Sequence, residues 1–148
     1  MKPQRNAMLS FESQRQIAND REPDMRHRVL IMEDDQWYRT LLETLLRGVG
    51  YRVLCAEDGV VGMRAMRQHG ADVVITDLFM PEQDGLQTIR QLKREFPGVR
   101  VVAITAGAAF LSLENARATA ALIGADAFIE KPLDRRNLLD VVRHLLPA

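Results

Sequence analysis

The chain has 148 residues, and its 20 Lys plus Arg balance 20 Asp plus Glu, so the formal net charge is zero. A neutral chain with scattered basic residues offers no electrostatic footprint for direct contact with nucleic acid or an anionic membrane. A single cysteine, Cys55, excludes an internal disulfide and any multi-cysteine metal site, and no stretch nears the roughly 18 to 20 apolar residues of a membrane span; one cytoplasmic domain is expected.

Residues 1–27 are polar and lack sustained periodicity, with Met8, Leu9, Phe11, Ile17 and Met25 as their sizeable apolar groups. They read as a flexible leader, or as a short helix around Leu9 to Ala18 that docks on the domain or a partner. The ordered domain is expected over 28–148. It opens on the strand-length apolar run Arg28-Val29-Leu30-Ile31-Met32, which ends in Glu33-Asp34-Asp35. Tyr38, Leu41, Leu42, Leu45 and Val49 then follow at helical spacing as one buried stripe, closed by Gly48 and Gly50. Tyr51 to Ala56 reads as a strand in which Cys55 is a small apolar side chain. Glu57-Asp58-Gly59 reads as a turn, and Val60 to His69 as a helix stopped by Gly70.

The next run, Val73-Val74-Ile75, is too short for a helix and suits a strand buried on both faces. It stops at Asp77, and Leu78-Phe79-Met80-Pro81-Glu82-Gln83-Asp84-Gly85 forms the turn that follows. Leu86, Ile89, Leu92 and Phe96 mark a third helix, ended by Pro97-Gly98. Val99 to Ile104 is a strand running into Thr105-Ala106-Gly107. An Ala-rich helix from about Ser112 to Ile123 stops at Gly124, and Ala127-Phe128-Ile129-Glu130 is a brief strand before Lys131-Pro132. Asp134 caps a last helix with the stripe Leu138, Val141, Val142 and Leu145. Five strand–helix pairs of this size predict an α/β fold: a doubly wound, five-stranded parallel sheet with right-handed crossovers and helices on both faces.

In such a sheet every strand delivers its last residues to one edge, where ligands bind. Collected there are Glu33, Asp34 and Asp35, then Asp77, Thr105 and Lys131. Crowded carboxylates cannot all stay ionised cheaply unless a cation sits among them. Few protein oxygens with room for water and phosphate suit Mg²⁺. A hydroxyl from Thr105, an ammonium from Lys131 and backbone N–H groups after Thr105 complete an anion site, so the arrangement fits a phosphoryl group on Asp77. Asp35 is read either as part of this cluster or as the cap of the first helix.

Glu33-Asp34 after the first strand, Asp77 in Asp-x-x-Met-Pro-x-x-Asp-Gly, Thr105-Ala106 after the fourth and Lys131-Pro132 after the fifth together resemble the receiver domain of two-component response regulators. The resemblance spans Arg28 to Ala148 and implies a flavodoxin-like, CheY-like (βα)5 fold. It implies that Asp77 is the phosphoacceptor and that Asp34, Glu33 (through a metal-bound water), Asp77 and the Phe79 backbone carbonyl serve Mg²⁺. Thr105, Ala106 and Lys131 would contact the phosphoryl group, and the Lys131-Pro132 bond would be cis. Thr105 and Phe128 match a switch pair that re-faces the surface of the fourth helix, fifth strand and fifth helix.

The partners implied are a histidine kinase or histidine phosphotransfer protein upstream and an effector protein downstream, with homodimerisation an option. None of His27, His69 and His144 belongs to the expected site, so the donor histidine lies on another protein. The function expected is a single-domain phosphoacceptor switch rather than a turnover enzyme. A fragment of a longer regulator is the first alternative, and a Mg²⁺-dependent aspartyl phosphohydrolase the second. Two departures from the common pattern stand out. The large apolar ring of Phe79, two residues after Asp77, cannot orient water, which predicts slow autodephosphorylation. Trp37, the only tryptophan, lies close to the acidic cluster and should report Mg²⁺ by fluorescence.

Overall fold

The computed structural model describes residues 27–80, 84–106 and 112–146. Residues 1–26 of the leader read over 1–27, Pro81 to Gln83 of the turn after Asp77, and Gly107 lie outside these residues.

Among the described residues ten elements alternate: β1 (Arg28–Met32), α1 (Gln36–Gly48), β2 (Arg52–Ala56), α2 (Gly59–His69), β3 (Val73–Asp77), α3 (Gly85–Glu95), β4 (Arg100–Thr105), α4 (Leu113–Leu122), β5 (Ala127–Glu130) and α5 (Arg135–Leu145). The strands form one parallel sheet in the order β2-β1-β3-β4-β5. The doubly wound expectation is met.

Strand side chains alternate between faces, so each central strand feeds two cores. Leu30, Met32, Val74, Val101 and Ala103 face one way and pack with Met63 and Met66 of α2, Ile89 and Leu92 of α3, and Ala116 and Ala120 of α4. Val29, Ile31, Val73, Ile75, Val102 and Ile104 face the other way, against Leu42 and Leu46 of α1 and Leu138, Leu139 and Val142 of α5. The predicted stripes are thus displaced by part of a turn: Leu46 and Leu139 are buried, whereas Tyr38, Leu41 and Val141 are only half-buried. Cys55 lies in the edge strand β2 and is exposed rather than packed.

Each of the five helices among the described residues starts on a side-chain cap. Asp35, Asp58, Asp84, Ser112 and Asp134 each accept a hydrogen bond from a backbone N–H of the first turn. Asp35 therefore resolves as a cap: its Oδ1 accepts from Trp37 N at 2.8 Å and Tyr38 N at 3.2 Å. Gly70 and Gly124 end α2 and α4 with φ of 73° and 110°, where a side chain would be strained.

Gly85 is required for another reason. A Cβ there would drive into the Asp77 carbonyl oxygen and come within 2.6 Å of Leu78 Cα. Its N–H donates to Leu78 O at 2.8 Å, so α3 begins pressed against the end of β3.

Candidate functional site

Register explains how distant carboxylates meet. Ile31 of β1 pairs with Ile75 of β3, so two residues further along each strand Glu33 comes beside Asp77, on the sheet face covered by α1 and α5. A carboxylate oxygen from each of Glu33, Asp34 and Asp77 can be chosen so that all lie within 4.8 Å of one another. Glu33 is fully enclosed, Asp77 is 6% exposed and Asp34 is open to solvent. Arg39 braces this loop from α1, its Nη1 donating to Glu33 O at 2.8 Å.

Lys131 enters from the end of β5, where its N–H donates to Thr105 O at 2.9 Å and extends the ladder by one residue. The Lys131-Pro132 bond is cis, as expected. The ammonium donates to Asp77 Oδ2 at 2.7 Å and lies 3.1 Å from Glu33 Oε2, outside hydrogen-bond geometry for the latter. The other oxygens are also engaged. Asp77 Oδ1 accepts from Phe79 N at 2.9 Å, and Glu33 Oε1 from Asp35 N at 3.1 Å.

Burial, reinforced by the charge of Asp77 and only partly offset by Lys131, pushes the Glu33 carboxyl up to about 7. Burial disfavours the charged form of Lys131, but its contacts with Asp77 and Glu33 outweigh that and raise its affinity for a proton. One ammonium thus faces two of the three clustered carboxylates, and one of these two, Glu33, is sealed from water. A hard divalent cation complements such a donor set, and Glu33, Asp34 and Asp77 could hold one.

The remaining predicted residues sit around this centre. Thr105 ends β4 beside β3 and is buried, and the exposed Ala106 follows it. Phe128 pairs with Ala103, two residues before Thr105, so Thr105 and Phe128 lie toward one sheet face. Phe128 is half-buried against the core, with the Arg117 guanidinium of α4 5.0 Å from its ring centroid. The ring of Phe79 also packs on that core. Helical periodicity puts Tyr38 in the core stripe, yet its ring centroid lies 4.2 Å from Lys131 Nζ. Its place at the N-terminal end of α1, three residues after a capping Asp in the acidic loop, was the available signal.

A doubly wound parallel sheet with an acidic pocket at its carboxyl edge, crossed by one lysine, defines the class of receiver-type signalling domains. A family model described as the response regulator receiver domain matches residues 29–143. The chain belongs to that family, within the two-component systems in which magnesium and phosphoaspartate are typical.

Among curated relatives, the transcriptional regulatory protein ZraR of Klebsiella oxytoca is 36% identical over 106 residues, 72% of this chain and 23% of the relative. The transcriptional regulatory protein GlrR of Escherichia coli (strain K12) is 34% identical over 114 residues, 77% of this chain and 25% of the relative. The chain therefore spans about a quarter of the length of these relatives. Among solved structures, a receiver domain protein (CheY-like) from Methanospirillum hungatei JF-1 superposes with a TM-score of 0.74 at 28% identity, covering 81% of this chain and 93% of that one. A beryllofluoride-activated NtrC4 receiver domain dimer gives 0.73 at 26% identity, covering 80% and 95%. Among the described residues no helix is long and apolar enough to cross a membrane.

Proposed function

We propose that Asp77 accepts a phosphoryl group from a phosphohistidine on a partner histidine kinase or histidine phosphotransfer protein, with Mg²⁺, in the cytoplasm. The observation that carries this reading is the position of the Asp77 carboxylate: buried, 2.7 Å from the Lys131 ammonium, and beside two more carboxylates from the end of β1. A carboxylate held this way is a nucleophile whose surroundings already provide for both a cation and an anion.

Glu33, Asp34, Asp77 and the Phe79 carbonyl would hold Mg²⁺, which when bound screens negative charge between the carboxylates and the incoming phosphoryl oxygens. An Asp77 oxygen forms the new P–O bond while the P–N bond to the donor imidazole breaks; the imidazole keeps that electron pair and ends protonated as solvent allows. The Lys131 ammonium turns from Asp77 to the phosphoryl oxygens, and the Thr105 hydroxyl and Ala106 N–H add donors. Movement of Thr105 toward the phosphoryl group lets Phe128 turn inward, which re-faces α4, β5 and α5. Residues 28–148 form the receiver domain and 1–27 its leader. The chain acts as a switch and consumes only its own acylphosphate.

The signal leaves by contact with an effector protein or by onward phosphotransfer. The length of the curated relatives favours a second arrangement, in which this domain serves as the receiver part of a longer regulator. The dimer named among the structural neighbours makes homodimerisation part of the proposal.

Incubation with acetyl phosphate and Mg²⁺, followed by intact mass, tests the reading. Wild type should gain one phosphoryl group and Asp77→Ala none. Release of free phosphate with no phosphoprotein would indicate a phosphohydrolase instead, and neither product would overturn the proposal.

A further inference from the structure

The ammonium of Lys131 has three protons and is enclosed on three sides. Asp77 Oδ2 accepts at 2.7 Å, Glu33 Oε2 faces it at 3.1 Å, and the ring of Tyr38 lies with its centroid 4.2 Å away. The Lys131 side chain is only 9% exposed, so little water competes for the third side. The face of an aromatic ring carries a negative quadrupole that attracts such a cation, most strongly where water is scarce. From α1 the adjoining core takes Leu42 and Leu46, with Leu45 against it, whereas Tyr38 turns to the lysine. The ring of Trp37 stands perpendicular to that of Tyr38, with centroids 4.9 Å apart and an interplanar angle of 89°.

The three partners of the ammonium differ in one respect. The charges of Asp77 and Glu33 are claimed by a divalent cation when one binds, and Asp77 ceases to be a free carboxylate once it carries phosphorus. The quadrupole of the ring changes with neither event. We infer that Tyr38 is a positioning residue for Lys131, its ring face keeping the ammonium beside the phosphoacceptor while the carboxylates are engaged elsewhere. This rests on the roles proposed above for Asp77 and Lys131.

Two variants and two readouts test it. In metal-free protein, the Lys131 ε-methylene protons should show an upfield ring-current shift in wild type and Tyr38→Phe, and lose it in Tyr38→Leu. With acetyl phosphate and Mg²⁺, Tyr38→Phe should be phosphorylated within about twofold of the wild-type rate and Tyr38→Leu about tenfold more slowly, as loss of a desolvated cation–π contact predicts. A Tyr38→Leu protein that keeps both the shift and the rate overturns the inference. So does a Tyr38→Phe protein as slow as Tyr38→Leu, because the ring face would then not be the agent. Should Tyr38→Leu fail to fold, fluorinated phenylalanines at position 38 replace it, since they keep the shape while weakening the ring's negative face. A rate that falls with fluorination supports the inference and a flat series overturns it. If wild type itself takes no phosphoryl group, the phosphoacceptor reading fails, and the ring-current comparison alone decides whether Tyr38 holds Lys131.

Discussion

Replacing Glu33 by glutamine should stabilise the metal-free protein at neutral pH, although it deletes a contact with Lys131. Glu33 is fully enclosed, and burial together with the Asp77 charge moves its carboxyl from an ordinary 4.5 to about 7. Between those values the folded chain keeps a proton that the unfolded chain has released. Folding stability therefore falls as pH rises through that window, and the loss is complete above it. At roughly 1.4 kcal/mol for each tenfold change in proton affinity, the upper bound is about 3 kcal/mol. Relaxation around the site reduces this, so about 1–2 kcal/mol is expected.

Glutamine keeps the shape and can still accept from Asp35 N–H through Oε1, while its amide NH2, facing Lys131 in place of Oε2, cannot accept from the ammonium and takes back part of the gain. Urea unfolding followed by circular dichroism, in chelator from pH 5 to 8, should show wild type losing stability relative to Glu33→Gln as pH rises. Contributions common to both proteins cancel in that difference. Adding Mg²⁺ should reverse the order, because wild type gains a ligand-linked term that the variant largely lacks, and Trp37 emission offers a second view of that titration. Parallel pH profiles for the two proteins in chelator would refute the reasoning.

Gly85→Ala should cost about 1–3 kcal/mol in urea unfolding and slow phosphorylation, because its methyl group meets the backbone of Asp77 and Leu78. Gly62→Ala, which meets only the flexible Met32 side chain, should cost less; equal costs would contradict the close-approach argument. Asp126 ties three elements, accepting from Lys93 Nζ of α3 and from Val101 N of β4, each at 2.8 Å, just before β5 begins. Burial alone would raise its carboxyl, but the bonds from Lys93 and Val101 and the charges of Lys93 and Arg100 hold it below the ordinary 3.8. Its contribution is present above that value and lost as pH falls through the depressed one. Asp126→Asn should therefore cost about 1–3 kcal/mol at pH 7 and progressively less in acid, and a pH-independent cost would exclude the carboxylate's charge as the cause. Phosphorylated protein should decay slowly, since the Phe79 side chain has no group to orient water; radiolabel loss within seconds would remove that argument.

The order of elements was legible because each strand is a short apolar run and each helix opens on a capping Asp or Ser, signals that depend on neighbours in the chain. The convergence of Glu33, Asp34, Asp77 and Lys131 was legible for a related reason: a parallel sheet sends all its strand ends to one edge whatever the side chains are. What stayed hidden depends on contact between elements. Leu46 rather than Leu41 is buried in the core against the sheet, and periodicity alone tolerates either. The Lys93–Asp126 pair joins two charges that look like ordinary surface residues until α3 is laid beside the start of β5. Gly85 was expected to serve a turn, whereas its φ is unexceptional and the need is for space against Asp77 and Leu78. Tyr38 satisfied the apolar stripe as well as a leucine would, and only the position of Lys131 separates an aromatic face from mere bulk. The residues that break the local rule mark the chemistry: Glu33 extends an apolar strand into a buried site with a charge, at a cost to folding that a bound divalent cation would relieve.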